Sequence, residues 1–230
     1  MLSDDLVYKI AFASVKGMSL ALANDLMQHL GSEKDFFTTS EAHLFSITQS
    51  ASRIYSKAYR DAVLTDATKE LEFITAHKIS VLYYTDAGYP QRLLECEDAP
   101  LILYCIGNTD LNNARIVSVV GTRRSTIYGM DFTDKLVREL AETVENPVIV
   151  SGLAYGIDIT AHKAAIKYGI PTIAVLAHGL NMIYPSDHRS DAINIVKQGG
   201  MLLSDYKSSD KMHRGSFLAR NRIIAGLADC

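Results

Sequence analysis

The chain of 230 residues has few residues of the kinds that build covalent or metal-held scaffolds. It contains no tryptophan, five prolines and only three cysteines, Cys96, Cys105 and Cys230. Because these cysteines are odd in number and widely spaced, they form no metal-binding or redox motif, and we expect three reduced thiols and no metal site.

Long apolar runs are also missing. No stretch of about 18 apolar residues is present, so the sequence predicts no membrane-spanning helix. The first five residues, MLSDD, are acidic at once and lack the basic start and apolar core of a secretory signal. These absences predict a cytoplasmic protein.

The chain also lacks an excess of positive charge. Lysine and arginine total 23 and aspartate and glutamate 26, for a net charge of −3. A polyanionic partner must therefore be met by a local basic patch, because the molecule as a whole does not attract it. The hydrophobic content of 48% is that of a soluble globular protein, and the length suits one sizeable core with a small second domain.

Residues 1–65 are predicted to form a small all-helical domain. Two amphipathic runs are separated by a turn at Gly17, and the second run stops at Gly31. This order is similar to a helix-hairpin-helix or SAM-like bundle, which can grip a nucleic-acid backbone. The hairpin carries Lys16 as its only cation, so packing or partner docking is the alternative role.

Residues 66–230 alternate strand and helix with short connections. Such alternation predicts an α/β domain, a Rossmann-like and mostly parallel sheet with helices on both faces and right-handed crossovers. The loops at 121–126, 151–156, 177–185 and 204–217 should emerge together at the carboxyl edge of the strands, where ligands bind in such sheets.

The stretch at 116–129 is organised as a strand, a glycine turn and a helix. Its apolar start, residues 116–120, is typical of a strand buried on both faces. Gly121 ends the strand, and Arg123 and Arg124 lie in the turn before a helix that begins near Ile127. Free N–H groups at a helix start favour an anion, and arginine suits phosphate. The turn is predicted to cradle phosphate; an ordinary turn with solvated arginines is the alternative.

A second glycine turn, residues 151–156, repeats this arrangement. Asp158 follows it and is expected to cap the next helix. His162 lies one helical turn further on, so that the two could form a base with its orienting group. No nucleophile accompanies them, which favours a structural histidine. His178 stands alone in a strand-end loop and is weak evidence for a site.

The stretch at 207–222 is rich in cations. Arg214, Phe217, Arg220, Asn221 and Arg222 combine charge, an aromatic ring and an amide. This combination suits single-stranded nucleic acid, because cations follow the phosphates and an aromatic ring stacks on a base. A solvated basic helix start with Phe217 in the core is the alternative.

Taken in order, these motifs closely resemble the DNA-processing protein A (DprA/Smf) family over roughly residues 70–227. The residues that carry the resemblance are Gly121-Thr122-Arg123-Arg124, the turn from Ser151 to Asp158, Ile183-Tyr184-Pro185 and the run from Arg214 to Leu227.

The resemblance implies an extended Rossmann-like domain that binds single-stranded DNA and helps to load the RecA recombinase during natural transformation. It also implies DNA recombination in competence, a homodimer, no cofactor and no enzymatic activity. The DNA-binding residues expected from these motifs are Gly121, Thr122, Arg123, Arg124, Ser151, Gly152, Arg214, Phe217, Arg220, Asn221 and Arg222.

Three departures from the family pattern stand out. Tyr155 occupies a position that is often basic, and Leu218 one where proline is usual. The sequence stops at Cys230, whereas the family continues with further strands and helices. We therefore expect either a fragment of a longer chain or a fold with an open strand edge, which invites pairing.

Two other functions are alternatives to DNA binding. The first is a nucleotide-binding Rossmann-like enzyme, such as a nucleoside-monophosphate phosphoribohydrolase. Those enzymes carry a P-G-G-x-G-T turn, which this chain lacks. The second is a purely structural or partner-binding module, which the arginine-rich edge disfavours.

Overall fold

A computed structural model describes residues 2–49, 52–112 and 115–230. The chain divides into two compact units. The first contains the residues up to Ile79 together with Glu97–Ile102, and the second contains Ser80–Cys96 and Leu103–Cys230.

The first unit is helical. Four of its helices begin at a serine whose side chain accepts a backbone N–H of the first turn, which satisfies a donor that has no partner inside the helix. The helices are α1 Leu2–Ala13, α2 Leu20–His29, α3 Glu33–Thr38, α4 Glu41–Thr48 and α5 Lys57–Ala76, with a 3-10 turn at Arg53–Tyr55.

Helix α5 continues without a break through residue 65, where the sequence pattern placed the domain boundary. Thr65 and Thr68 do not interrupt it, because their hydroxyls donate to carbonyls one turn earlier in the same helix. The core of this unit includes Phe12 and Phe36, whose rings meet edge to face at 5.3 Å. In the glycine hairpin, the backbone N–H of Lys16 donates to the phenol of Tyr59 at 2.8 Å.

The second unit is built on a six-stranded sheet of order β1-β2-β6-β5-β4-β3. Strands β3, β4, β5 and β6 are parallel neighbours, and β2 runs antiparallel to β6. The prediction of a mostly parallel α/β sheet is therefore confirmed. The strands are β1 Ser80–Tyr83, β2 Ile102–Gly107, β3 Arg115–Ser118, β4 Pro147–Ser151, β5 Thr172–Val175 and β6 Met201–Ser204.

Helices cover this sheet. All residues of β4, β5 and β6 are buried, and because neighbouring residues of a strand point to opposite faces, both faces must be covered. Helices α7 and α8 share one apolar cluster with β4, and the buried side of α10 contacts β3, β4 and β5. The helices are α6 Gln91–Leu94, α7 Ile127–Thr143, α8 Ile157–Lys167, α9 Arg189–Lys197 and α10 Arg214–Leu227, with a 3-10 turn at Ser186–His188.

The prediction that residues 116–120 form a strand buried on both faces is wrong. The strand ends at Ser118, and although Ile116 is fully buried, the last two residues of β3 are only partly buried. β3 lies at one edge of the sheet. The outer side of β3 bonds to the last residues of the chain. The N–H of Asp229 donates to the carbonyl of Ile116 at 2.7 Å, and the N–H of Ser118 donates to the carbonyl of Cys230 at 2.8 Å. An apolar, β-branched composition favours a strand but does not decide which strands will lie beside it.

In the part of the chain that the structure describes, no helix is long and apolar enough to cross a membrane. Nor do the residues in that part include three or more histidine, cysteine, aspartate or glutamate side chains grouped to hold a metal ion. The three cysteines are free thiols.

Candidate functional site

The loops that follow β3, β4, β5 and β6 lie at one edge of the sheet. These four strands are parallel, so their carboxyl ends point the same way. The sequence predicted this common edge, and the strand pairing confirms it.

The turn after β3 presents two arginines to solvent. Gly121, Thr122, Arg123 and Arg124 are all exposed. The Thr122 hydroxyl accepts the N–H of Arg124 at 3.2 Å, and the Thr122 carbonyl accepts the N–H of Ile157 at 3.2 Å. The backbone of the turn is thus fixed to the start of α8, while both guanidinium groups remain accessible.

Two glycines allow this turn to pack against the next one. A Cβ atom at Gly121 would lie 2.6 Å from a side-chain carbon of Ile157. Gly156 has a φ of +80°, and a Cβ atom there would lie 2.1 Å from the carbonyl oxygen of Thr122. Any side chain at either position would push the two turns apart.

An aromatic and cationic cluster connects two loops and the first turns of α10 at this edge. The Arg123 guanidinium carbon lies 4.9 Å from the centre of the Phe217 ring, within the range of a cation–π contact. Tyr184, from the loop after β5, places its ring 5.8 Å from that of Phe217. The structure thus brings together Arg123 and Phe217, which the sequence predicted, and adds Tyr184, which it did not assign. The available signal was the Ile183-Tyr184-Pro185 motif.

The first turns of α10 continue this surface. Arg214 and Asn221 are exposed, and Phe217 is half-buried between them. Phe217 and Asn221 lie one helical turn apart, as the sequence spacing predicted. Ser216 is fully buried, and its hydroxyl accepts the N–H of His213 at 3.3 Å, which fixes the start of the helix.

Arg220 lies beneath this surface. Its side chain is 4% exposed, and its guanidinium group donates to the carbonyls of Gly152, at 2.7 Å, and Val175. Burial lowers the pKa of Arg220, and the nearby charge of Asp158 acts in the opposite direction. Arg220 therefore joins the carboxyl ends of β4 and β5 from inside the protein.

Asp158 completes this interior arrangement. It is 5% exposed, and Gly156 rather than Asp158 occupies the cap position of α8, so the predicted cap is wrong. Burial raises the pKa of Asp158, and the charge of Arg220 opposes that shift. Backbone hydrogen bonds from the two glycine turns also lower the pKa of Asp158, and they involve Ala154, Gly121 and Gly152.

Two other predicted residues, one in the second turn and one on α10, are engaged by neighbouring protein groups. Ser151 is fully buried, and its hydroxyl donates to the carbonyl of Val119 at 2.5 Å. Arg222 is partly buried and pairs with Asp205 at 2.5 Å. The eleven predicted residues are thus divided by the structure between the surface and the layer below it. Gly121, Thr122, Arg123, Arg124, Arg214, Phe217 and Asn221 reach the surface, and Ser151, Gly152, Arg220 and Arg222 support it.

His162 belongs to the core rather than to a catalytic pair. It is fully buried, and its Nδ1 lies 2.7 Å from the Thr172 hydroxyl. That hydroxyl already donates to the carbonyl of Ile149 at 2.9 Å, so Nδ1 must carry the proton and donate. Burial lowers the pKa of His162 to about 3, which keeps the ring neutral near pH 7.

His178 supports the loop that carries Tyr184. Its ring is 2% exposed, Nδ1 donates to the carbonyl of Gly179 at 2.9 Å, and Nε2 accepts the N–H of Tyr184 at 3.2 Å. Burial lowers the pKa of His178 and favours this neutral form.

Comparison with known proteins identifies relatives of one kind. The family model for DNA recombination-mediator protein A matches residues 80–230. The chain is 32% identical to Protein Smf of Synechocystis over 99% of its own length and 58% of that protein. It is 38% identical to DNA processing protein DprA of Streptococcus pneumoniae over 71% of its length and 56% of that protein. The chain therefore spans somewhat more than half of these relatives.

Two solved structures are also similar. DNA processing protein A of Streptococcus pneumoniae superposes with a TM-score of 0.74 at 30% identity, covering 96% of this chain and 74% of that one. The protein of the same name from Helicobacter pylori, described for its single-stranded DNA binding mode, gives a TM-score of 0.57 at 37% identity and covers 66% of each chain. With its sequence motifs, its sheet and most of its second unit matched in this way, the chain belongs to the DNA recombination-mediator protein A family.

Proposed function

We propose that this chain acts as a recombination mediator that binds single-stranded DNA at the carboxyl edge of its sheet. The observation that carries the proposal is the Arg123 guanidinium 4.9 Å from the Phe217 ring. Single-stranded nucleic acid is bound by cations that follow its phosphates and by rings on which its bases stack. Here both kinds of group share one exposed surface.

The bound DNA strand is proposed to run from the turn after β3 to the start of α10. Arg123, Arg124 and Arg214 supply exposed cations, and Asn221 supplies an amide one helical turn from Phe217. Because the whole chain has a net charge of −3, this local patch must provide the attraction.

The interior residues are proposed to shape this surface rather than to contact DNA. Arg220 and Gly152 hold the carboxyl ends of β4 and β5 together, and Arg222 is engaged by Asp205. An arginine that is 4% exposed and whose Nη1 donates to two buried carbonyls is not available to a phosphate. The proposed DNA contacts are therefore fewer than the eleven residues expected from the sequence.

The wider role is proposed on family membership. The bound strand would be passed to a RecA recombinase in DNA uptake and natural transformation, with the chain acting as a homodimer and without catalysis of its own. The similarity to a Helicobacter pylori protein described for single-stranded DNA binding supports the first step. The rate of RecA assembly on single-stranded DNA, with and without this chain, tests the second.

The binding test uses the fluorescence anisotropy of a labelled oligo-dT across a salt titration. Wild type should bind, and its affinity should fall as salt rises. Arg123→Ala and Arg214→Ala should each weaken binding and make the dependence of log K on log salt less steep by about 0.7. Lys135→Ala is the matched control, because it removes an exposed cation from α7 that faces Glu139 at 3.7 Å. Unchanged binding in both arginine variants would refute the proposed surface.

A further inference from the structure

Tyr184 is an exposed aromatic ring in the loop after β5. The residue is 43% exposed, and it lies directly before the buried Pro185; Asn181 and Met182 of the same loop are exposed as well. Beside a cationic surface, an exposed aromatic ring offers a face on which a nucleic-acid base can stack.

The backbone that carries this ring is firmly held. The buried ring of His178 accepts the N–H of Tyr184, and the carbonyl of His178 accepts the Ser204 hydroxyl at 2.8 Å. Gly179 approaches the backbone of Lys207 so closely that a Cβ atom would lie 2.3 Å from its carbonyl oxygen. A ring presented from a fixed backbone loses little conformational freedom when a ligand covers it.

The ring also stands beside the proposed DNA contacts. It is 5.8 Å from Phe217, whose own ring is approached by Arg123. Tyr155, which is equally exposed at 43%, is engaged differently: its hydroxyl donates to Asp187 at 2.9 Å and its ring meets His188 at 4.9 Å. Of these two tyrosines, Tyr184 is the one whose ring packs against Phe217.

We infer that Tyr184 is a base-stacking residue of the single-stranded DNA site, adding a second aromatic surface next to Phe217. This inference rests on the proposed function. If the protein contacted only the phosphates of the DNA, the arginines would suffice and a neutral ring would add no binding energy. A base of any sequence, in contrast, binds more tightly when it stacks on an aromatic face. The site would then recognise bases as well as the charge of the strand.

The test compares two labelled oligonucleotides of equal length, oligo-dT and a strand of abasic residues that has the same phosphates. Wild type should bind oligo-dT more tightly than the abasic strand. Tyr184→Leu should weaken oligo-dT binding by about five- to 150-fold, which corresponds to one stacked base, and leave abasic binding unchanged. Tyr184→Trp, which keeps an aromatic face, should retain the preference for oligo-dT.

Phe45→Leu is the matched control, because it removes an aromatic ring that is 48% exposed on α4 and lies outside the proposed DNA contacts. It should change neither affinity, and thermal unfolding should show that every variant is folded. The inference is overturned if Tyr184→Leu leaves oligo-dT binding intact, if it weakens both oligonucleotides equally, or if Phe45→Leu has the same effect. If the wild-type protein binds oligo-dT and the abasic oligonucleotide equally, base stacking is refuted and the DNA-binding proposal stands. Wild type that binds neither would refute both.

Discussion

The guanidinium group of Arg220 lies directly against Gly152, where a Cβ atom would stand 2.3 Å from Nη2. This close approach lets an arginine of α10 donate to the carbonyl at the end of β4. The glycine of the second turn therefore serves an internal contact, and this contact supports the turn that lies next to Arg123.

Gly152→Ala is expected to destabilise the protein by about 2–4 kcal/mol, because the methyl group displaces a buried charged group from its acceptors. The free energy of unfolding in urea measures the effect. Gly88→Ala is the control, since a Cβ atom there makes an ordinary contact of 3.4 Å with Leu82, and it should stay within about 0.5 kcal/mol of wild type. Equal stability of the two variants would contradict the close packing.

Arg220→Met is expected to lower stability while leaving the salt dependence of DNA binding unchanged. A methionine cannot donate to the carbonyls of Gly152 and Val175. Because it also removes the charge, it would make the salt slope less steep if Arg220 contacted a phosphate. Arg123→Ala should do the reverse: stability stays close to wild type, and the salt slope becomes less steep by about 0.7. Anisotropy titrations at several salt concentrations, with urea unfolding alongside, separate the two roles. A reduced slope for Arg220→Met would place that arginine at the DNA.

The Asp158 and Arg220 charges are expected to be coupled. Asp158→Asn and Arg220→Met should each cost about 1–3 kcal/mol, because each removes a charge that favours the charged form of the other buried group. The double variant should cost clearly less than the sum of the two. A double-mutant cycle in urea measures this coupling, and simple additivity would show that the two groups do not interact.

His162 is expected to make the protein less stable in acid. Its pKa in the folded state is lowered to about 3 from an ordinary value of 6.5, so between these values the unfolded chain binds a proton that the folded protein does not. Stability should therefore fall as pH drops from 6.5 toward 3, by up to about 1.4 kcal/mol per pH unit from this group.

His162→Asn tests that contribution. Its amide can still donate to Thr172, but it does not titrate. Urea unfolding of both proteins at pH 7 and pH 5 should show a smaller loss for the variant, even if its stability at pH 7 is lower. Parallel losses in the two proteins would show that His162 is not responsible.

Part of the site could be predicted from local pattern. The strand, glycine turn and helix at 116–129 identified the exposed Arg123, and the mixture of charge and aromatic residues near 214–222 identified Phe217. Their meeting at one edge follows from the parallel strands that the alternation of strand and helix predicted. Tyr184 entered the sequence analysis only through the Ile183-Tyr184-Pro185 motif, because no local pattern shows that its ring would be exposed beside Phe217.

That Arg220 lies on the inner face of α10 could have been found from the sequence, although the carbonyls it bonds could not. Position 220 lies four residues after the buried Ser216 and four before the buried Ile224, so it falls on the inner face of α10. Its charge and the basic residues around it favoured the prediction of an exposed side chain instead. Asn221, one residue further on, is rotated by roughly 100° about the helix and is exposed.

The sequence by itself determined the helical first part, the order of strands and helices after it, the parallel direction of β3 to β6 and the edge at which the loops gather. These properties depend on period, turn chemistry and short connections, which are local. Only the tertiary structure decided that β3 lies at the edge, that α5 runs on past residue 65, and that Arg220 faces carbonyls and Arg123 faces Phe217. Burial and pairing depend on which distant segment packs against a residue, and no local pattern contains that information.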